Sequence, residues 1–169
     1  MSRRARWSVR VAAVAGALAA FVGCEAEPDL GKPPTVCSTK AVNAGESPEM
    51  EPGGDCIGCH ASAGEGPSFL VAGTVMAALH DDTNCGGVAG VTVRLTGADG
   101  QKLELTTNST GNFFVEKGKA TLALPFNAEV EVGGKVQKMF TAQSNTNCMA
   151  CHTAEGSMLA IGRIVPPTP

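Results

Sequence analysis

The sequence predicts a mainly β protein: an antiparallel β-sandwich, flanked by two short cysteine-rich segments and preceded by an export leader. Three observations lead there. Short stretches between residues 69 and 140 alternate apolar and polar residues with the two-residue period of a strand. Clusters of Gly, Asn and Asp separate them at turn-like intervals. A Cys-x-x-Cys-His unit stands on each side of the alternating region.

At the N-terminus, Arg3, Arg4, Arg6 and Arg10 precede an apolar run over residues 11–22, the length of a secretory h-region and too short to span a bilayer. The run ends in Phe21-Val22-Gly23-Cys24, which resembles the lipobox of bacterial lipoproteins; the departure is Phe21, where leucine is usual. Residues 1–23 are expected to be a lipoprotein signal peptide and Cys24 the lipid-bearing first residue, the alternative being an ordinary signal peptide that leaves Cys24 a plain thiol. Residues 24–49, with Pro28, Pro33, Pro34 and Pro48 and no sustained period, read as a flexible tether. Residues 50–68 form the first cysteine segment, entered through the turn Glu51-Pro52-Gly53-Gly54-Asp55.

Residues 69–142 form the sandwich. A first strand is expected over Phe69 to Leu79, rich in Val, Thr and Leu. Val91, Val93 and Leu95 share one face of a second, and Leu103 and Leu105 one face of a third after the turn at 97–100. The polar break at 108–112 precedes a strand at 113–115. Ala128, Val130 and Val132 alternate with Glu129 and Glu131, and Gly133-Gly134 signals a hairpin into a strand over 135–140. The mature chain has no Tyr or Trp, so Phe69, Phe113, Phe114, Phe126 and Phe140 are its aromatic core candidates. Residues 143–169 carry the second cysteine segment and a C-terminal tail.

Gly73-Thr74-Val75, Gly90-Val91-Thr92-Val93 and Thr107-Asn108-Ser109-Thr110-Gly111-Asn112-Phe113 resemble the opening of a carboxypeptidase-regulatory-like (transthyretin-like) β-sandwich. The arrangement over residues 50–164 is similar to bacterial lipoproteins with such a sandwich between two haem-attachment motifs. The resemblance of the β-module implies a fold and not an activity.

The chemistry lies in the cysteines. Cys56-Ile57-Gly58-Cys59-His60 and Cys148-Met149-Ala150-Cys151-His152 have the spacing of c-type haem attachment. Two intervening residues let both sulfurs reach the vinyl groups on one edge of a porphyrin, and the adjacent histidine can give a ring nitrogen to iron. Two covalent haem c groups are therefore expected, on Cys56 and Cys59 and on Cys148 and Cys151, with His60 and His152 as proximal ligands. Zinc remains an alternative, though its paired Cys-x-x-Cys units normally lie 15–20 residues apart. A thioredoxin-like pair wants a βαβ setting, which is missing, and Cys-x-x-Cys is a poor structural staple.

His80 and Met139 are the candidate distal iron ligands. His80 is the one histidine outside the motifs, with a solvated loop histidine as the plainer alternative; Met50, Met76, Met149 and Met158 read as packing or loop residues. Cys37 and Cys85 are left over. Pairing them would close a loop of 48 residues and constrain the unfolded chain by about 4 kcal/mol.

Without the four leader arginines the chain keeps nine basic against 16 acidic residues, net −7. That argues against a nucleic-acid partner, which calls for a basic face, and leaves room for a basic redox partner protein steered by charge. All three histidines are committed to the haem reading, so no Ser-His-Asp set can be assembled, and the glycines fall at turns rather than in a phosphate loop. An exported, membrane-anchored electron carrier follows, on the periplasmic side or at the cell surface, with the outer membrane favoured; pairing or stacking of chains is left open. Two rival classes stand beside it: a β-sandwich binding lipoprotein whose cysteines hold another metal, and a haem peroxidase or sensor.

Overall fold

Valine alternation becomes strand wherever a turn residue frees the chain to reverse. The computed structural model describes residues 46–64, 66–83 and 85–168. The leader, most of the tether, and the expectations for Cys24 and Cys37 lie outside them. Among the described residues, one helix, α1 (Cys56–Ala63), precedes six strands: β1 (Phe69–Thr74), β2 (Thr92–Thr96), β3 (Lys102–Thr106), β4 (Asn112–Glu116), β5 (Asn127–Val132) and β6 (Lys135–Lys138). They make two antiparallel sheets, β1-β4 and β3-β2-β5-β6. The protein is mainly β, and its two sheets are consistent with a β-sandwich.

The predicted alternation decides what is buried. Val91, Val93 and Leu95 are almost completely covered and meet Val71, Val75, Phe113, Phe126 and Val130 in one apolar cluster. Leu103, Leu105 and Ala128 pack against it from β3 and β5. The β5–β6 hairpin turns on Gly133 and Gly134, whose φ of 57° and 76° are left-handed at both central positions. This is the geometry a two-residue turn needs to follow strand twist, and it favours glycine.

The solvent face of the larger sheet is held by charge. Arg94 on β2 stands in register with Glu104 on β3 and Glu129 on β5. Its guanidinium reaches both carboxylates and Glu131 at 3.1 Å. Hydrogen bonding to Arg94, aided by Lys138, holds the Glu129 carboxyl below its usual range.

Two expectations need correction. The last strand stops at Lys138, and Phe140 is fully exposed rather than part of the core; beyond Met139, whose N–H bonds Ala128 O at 2.9 Å, the chain leaves the ladder. The first strand ends at Thr74, although Val75 and Met76 stay buried and make isolated bridges to Ile164 and Gly87.

Phe126, 2 % exposed in the core, should cost about 3–5 kcal/mol on replacement by alanine, measured by denaturant unfolding. Because the folded carboxyl of Glu129 is depressed, its contribution is complete above the unfolded pKa and is lost as pH falls through the folded one. Unfolding of the Glu129→Gln variant as a function of pH should therefore show a flatter loss of stability on the acid side than the parent protein.

Candidate functional site

The first motif lies on α1. Asp55 caps the helix, its Oδ1 accepting from Gly58 N–H at 2.8 Å, the usual role of an aspartate at this position. Gly64 closes the other end with its N–H on His60 O. On a helix, positions 56, 59 and 60 fall on one face, so the helical fold itself gathers both sulfurs and the imidazole. The second motif uses a tighter device: a 3-10 turn, Cys148–Ala150, with the N–H groups of Cys151 and His152 both bonded to Cys148 O.

Both motifs are fastened to β1. On the first side, Gly53 N–H donates to the buried Thr74 Oγ1 at 2.8 Å, and Thr74 Oγ1 donates to Asn112 Oδ1 at 2.7 Å. Asn112 Nδ2 in turn donates to Met50 O and Pro48 O. This closed set leaves the buried side-chain groups of Thr74 and Asn112 partnered, as burial demands. The end of the predicted tether docks here too, since Asn108 Nδ2 and Thr110 Oγ1 donate to Pro48 O and Glu49 O. On the second side, Asn147 bridges in parallel to Ala72. Gly73 lies under Cys148: a Cβ at Gly73 would stand 2.9 Å from Cys148 Cβ and 2.6 Å from the Phe113 ring. That close approach requires glycine.

The two motifs meet. Asn147 Nδ2, one residue before the second motif, donates to Asp55 Oδ1, one residue before the first, at 2.6 Å. Burial pushes the Cys148 thiol up to about 12, with the neighbouring Cys151 and Cys56 sulfurs adding to the rise. Burial also raises Cys56, with Asp55 and Glu51 contributing. Both sulfurs are held as protonated thiols, the opposite of the lowered pKa that marks a nucleophilic or redox-active cysteine.

Cys59 and Cys85 are each disulfide-bonded, whereas Cys56, Cys148 and Cys151 are free. For Cys85 the sequence expects a disulfide, with Cys37 as partner; for Cys59 it expects a thioether. One sulfur cannot hold both, so attachment at the first motif requires Cys59 in its reduced form.

The histidines differ in setting. His60 packs edge-on against Phe69 with ring centroids 4.9 Å apart, and its Nδ1 is buried without a hydrogen-bond partner. His152 Nδ1 lies 2.9 Å from Gly162 O, and His80 Nδ1 lies 2.8 Å from Ala154 O, two residues past His152. Met139 sits elsewhere, in a shallow hollow on the larger sheet with Thr96, Asn127, Ala128, Glu129 and Lys138; no motif residue lines it. Met158, expected to be packing, is instead 74 % exposed, with Sδ 3.9 Å from Cys151 Sγ.

Sequence reading misses the residues that join these parts. Asp55 carries a signal, an aspartate just before a helix start. Asn147 carries none, because its partner is 92 residues away. Arg163 is buried and donates Nη1 to Gly53 O at 2.7 Å and Nε to Asp81 O at 3.1 Å, tying the tail to the first motif and to the His80 loop.

The donor set suits haem c better at the second motif, where two free thiols stand beside an imidazole whose Nδ1 is already occupied. Among the described residues no three His, Cys, Asp or Glu side chains converge as a cage for a metal ion, and no helix is long and apolar enough to cross a membrane. Compared with protein-family models, curated proteins and solved structures, the chain matches none.

Replacing Gly73 with valine should force Phe113 and Cys148 apart and cost about 1–3 kcal/mol, the range for overpacking. Unfolding measurements should show the loss. Alkylation of Cys148 in the haem-free protein should accelerate, and an unchanged rate would show that Gly73 does not set its burial.

Proposed function

We propose that the chain is an exported di-haem c-type cytochrome that acts as an electron carrier, with a carboxypeptidase-regulatory-like (transthyretin-like) sandwich between its attachment motifs. The observation that carries this reading is the meeting of the two Cys-x-x-Cys-His segments at the Asn147–Asp55 bond. Motifs separated by an entire β-region in sequence stand together on one strand, as a pair of redox centres that exchange electrons would need.

Cys148 and Cys151 would hold one haem and Cys56 and Cys59 the other, with His152 and His60 as proximal ligands. Haem supplies an iron that accepts and releases single electrons. The chain's own contribution is position and exclusion of water. The Gly162 carbonyl fixes the His152 tautomer and so leaves Nε2 unprotonated for iron. The apolar cluster behind Cys148 keeps water from that edge, and the Asp55–Asn147 contact fixes the separation of the motifs. The acidic mature chain would meet a basic redox partner, and a lipid on Cys24 would tether it to a membrane, by preference the outer one. The role is transfer rather than catalysis.

One observation favours a second reading, a single-haem protein. With Cys59 in a disulfide, the first motif becomes a stapled helix and only Cys148 and Cys151 remain to take haem.

The test is production of the full chain in a host that exports and attaches haem c. A Soret band that survives acid-acetone extraction, with two haems per chain by pyridine haemochrome, is expected; one haem would favour the second reading, and a colourless protein would end both. Cys59→Ala should lower the count from two to one, and two remaining would contradict the role of the first motif.

A further inference from the structure

The three histidines of the chain are His60, His80 and His152, and the fold gathers the last two about one segment. His80 lies in the turn after β1, with Nδ1 2.8 Å from Ala154 O. A carbonyl only accepts, so Nδ1 carries a proton, and in the neutral ring Nε2 then keeps its lone pair. His152 has the same arrangement toward Gly162 O at 2.9 Å. Metal-ligating histidines are oriented by this kind of bond, with one ring nitrogen committed to the backbone and the other left for the metal.

The same tail holds both rings. Gly162 receives His152, and its neighbour Arg163 grips the residues on either side of His80: Arg163 N–H donates to Leu79 O at 2.8 Å and Nε donates to Asp81 O at 3.1 Å. Between the Ala154 and Gly162 contacts the chain exposes three large apolar side chains, Met158, Leu159 and Ile161, at 74 %, 100 % and 74 %. Met158 and Leu159 have left-handed φ of 49° and 75°, a conformation non-glycine residues rarely hold without a compensating contact. Met158 Sδ lies 3.9 Å from Cys151 Sγ, so this apolar lip adjoins the second motif. His60, by contrast, has its Nδ1 buried and unbonded.

We infer that His80 is the distal ligand of the haem carried by Cys148 and Cys151, that Met158, Leu159 and Ile161 form the apolar cover of that haem, and that the haem on Cys56 and Cys59 receives no second histidine from its own chain. The inference rests on the cytochrome reading. It predicts two unlike centres: a bis-histidine haem at the second motif, and a haem of different axial ligation at the first.

Two single-haem forms of the full chain test it. Cys56→Ala/Cys59→Ala retains the second haem, and Cys148→Ala/Cys151→Ala retains the first. Ferric absorption, electron paramagnetic resonance and near-infrared magnetic circular dichroism read the spin state and the axial pair without reference to activity. The second-haem form should be low-spin with a bis-imidazole signature, should become high-spin with His80→Ala, and should return to low-spin on addition of imidazole. His80→Asn, which keeps a donor for Ala154 O, should behave the same way and guards against a folding defect. The first-haem form should lack the bis-imidazole signature and ignore both substitutions. A second haem unmoved by His80→Asn, or a first haem that responds, overturns the assignment while leaving the cytochrome reading intact. Absence of covalent haem from both forms overturns both.

Discussion

Strand β1 has almost no solvent face, and the rest of the molecule is arranged around that constraint. Val71, and Val75 just past the strand, enter the apolar cluster, while Ala72 and Thr74, and Met76 beyond them, are equally buried. A strand covered on both sides needs something other than the second sheet over one of them, and here the cover is the chain on either side of the β-region. Residues 48–53 and 146–148 lie along it through Thr74, Ala72 and Gly73. Burying β1 and bringing the two motifs together are thus one event. The polar atoms that burial would strand, Thr74 Oγ1 and the Asn112 amide, are those that bind the first segment down.

This has a chemical consequence. The sulfur of Cys148 packs against the edge of the core, where its thiol is hard to ionise. A nucleophilic or metal-binding thiolate would need the opposite environment, whereas an apolar one suits a thioether to a porphyrin edge. The first motif differs: its helix presents the same residue types on one face, but Cys59 is engaged in a disulfide and the Nδ1 of His60 is orphaned. Two motifs of the same Cys-x-x-Cys-His spacing therefore stand in unlike settings, and two centres built on them would differ in ligation and potential.

Much of the fold was legible because strand alternation is local. Val91, Val93 and Leu95 declare a buried face with no knowledge of their partners, and Gly133-Gly134 declares a hairpin. Phe140 misled because aromatic character says core, whereas the ladder ends at Lys138. Met158 misled because apolar character says packing, whereas the tail leaves it 74 % exposed. The motifs were legible as spacing, and the proximity of His80 to the second was not, since it depends on a tail residue, Arg163, whose three hydrogen bonds to Leu79, Asp81 and Gly53 span more than 80 positions. The helix of the first motif is short enough that its apolar pattern carries no period; Asp55 was its one signal. The state of Cys59 could not be read either, because a disulfide depends on what folding brings beside a sulfur.

Intact-mass and peptide-mapping mass spectrometry of the exported protein tests the central claim most directly. The prediction is a chain heavier by two haems, with thioether adducts on the peptides containing Cys56 and Cys59 and those containing Cys148 and Cys151. An unadducted mass, with Cys56, Cys148 and Cys151 recovered as free thiols from a host that loads c-type cytochromes, would contradict it.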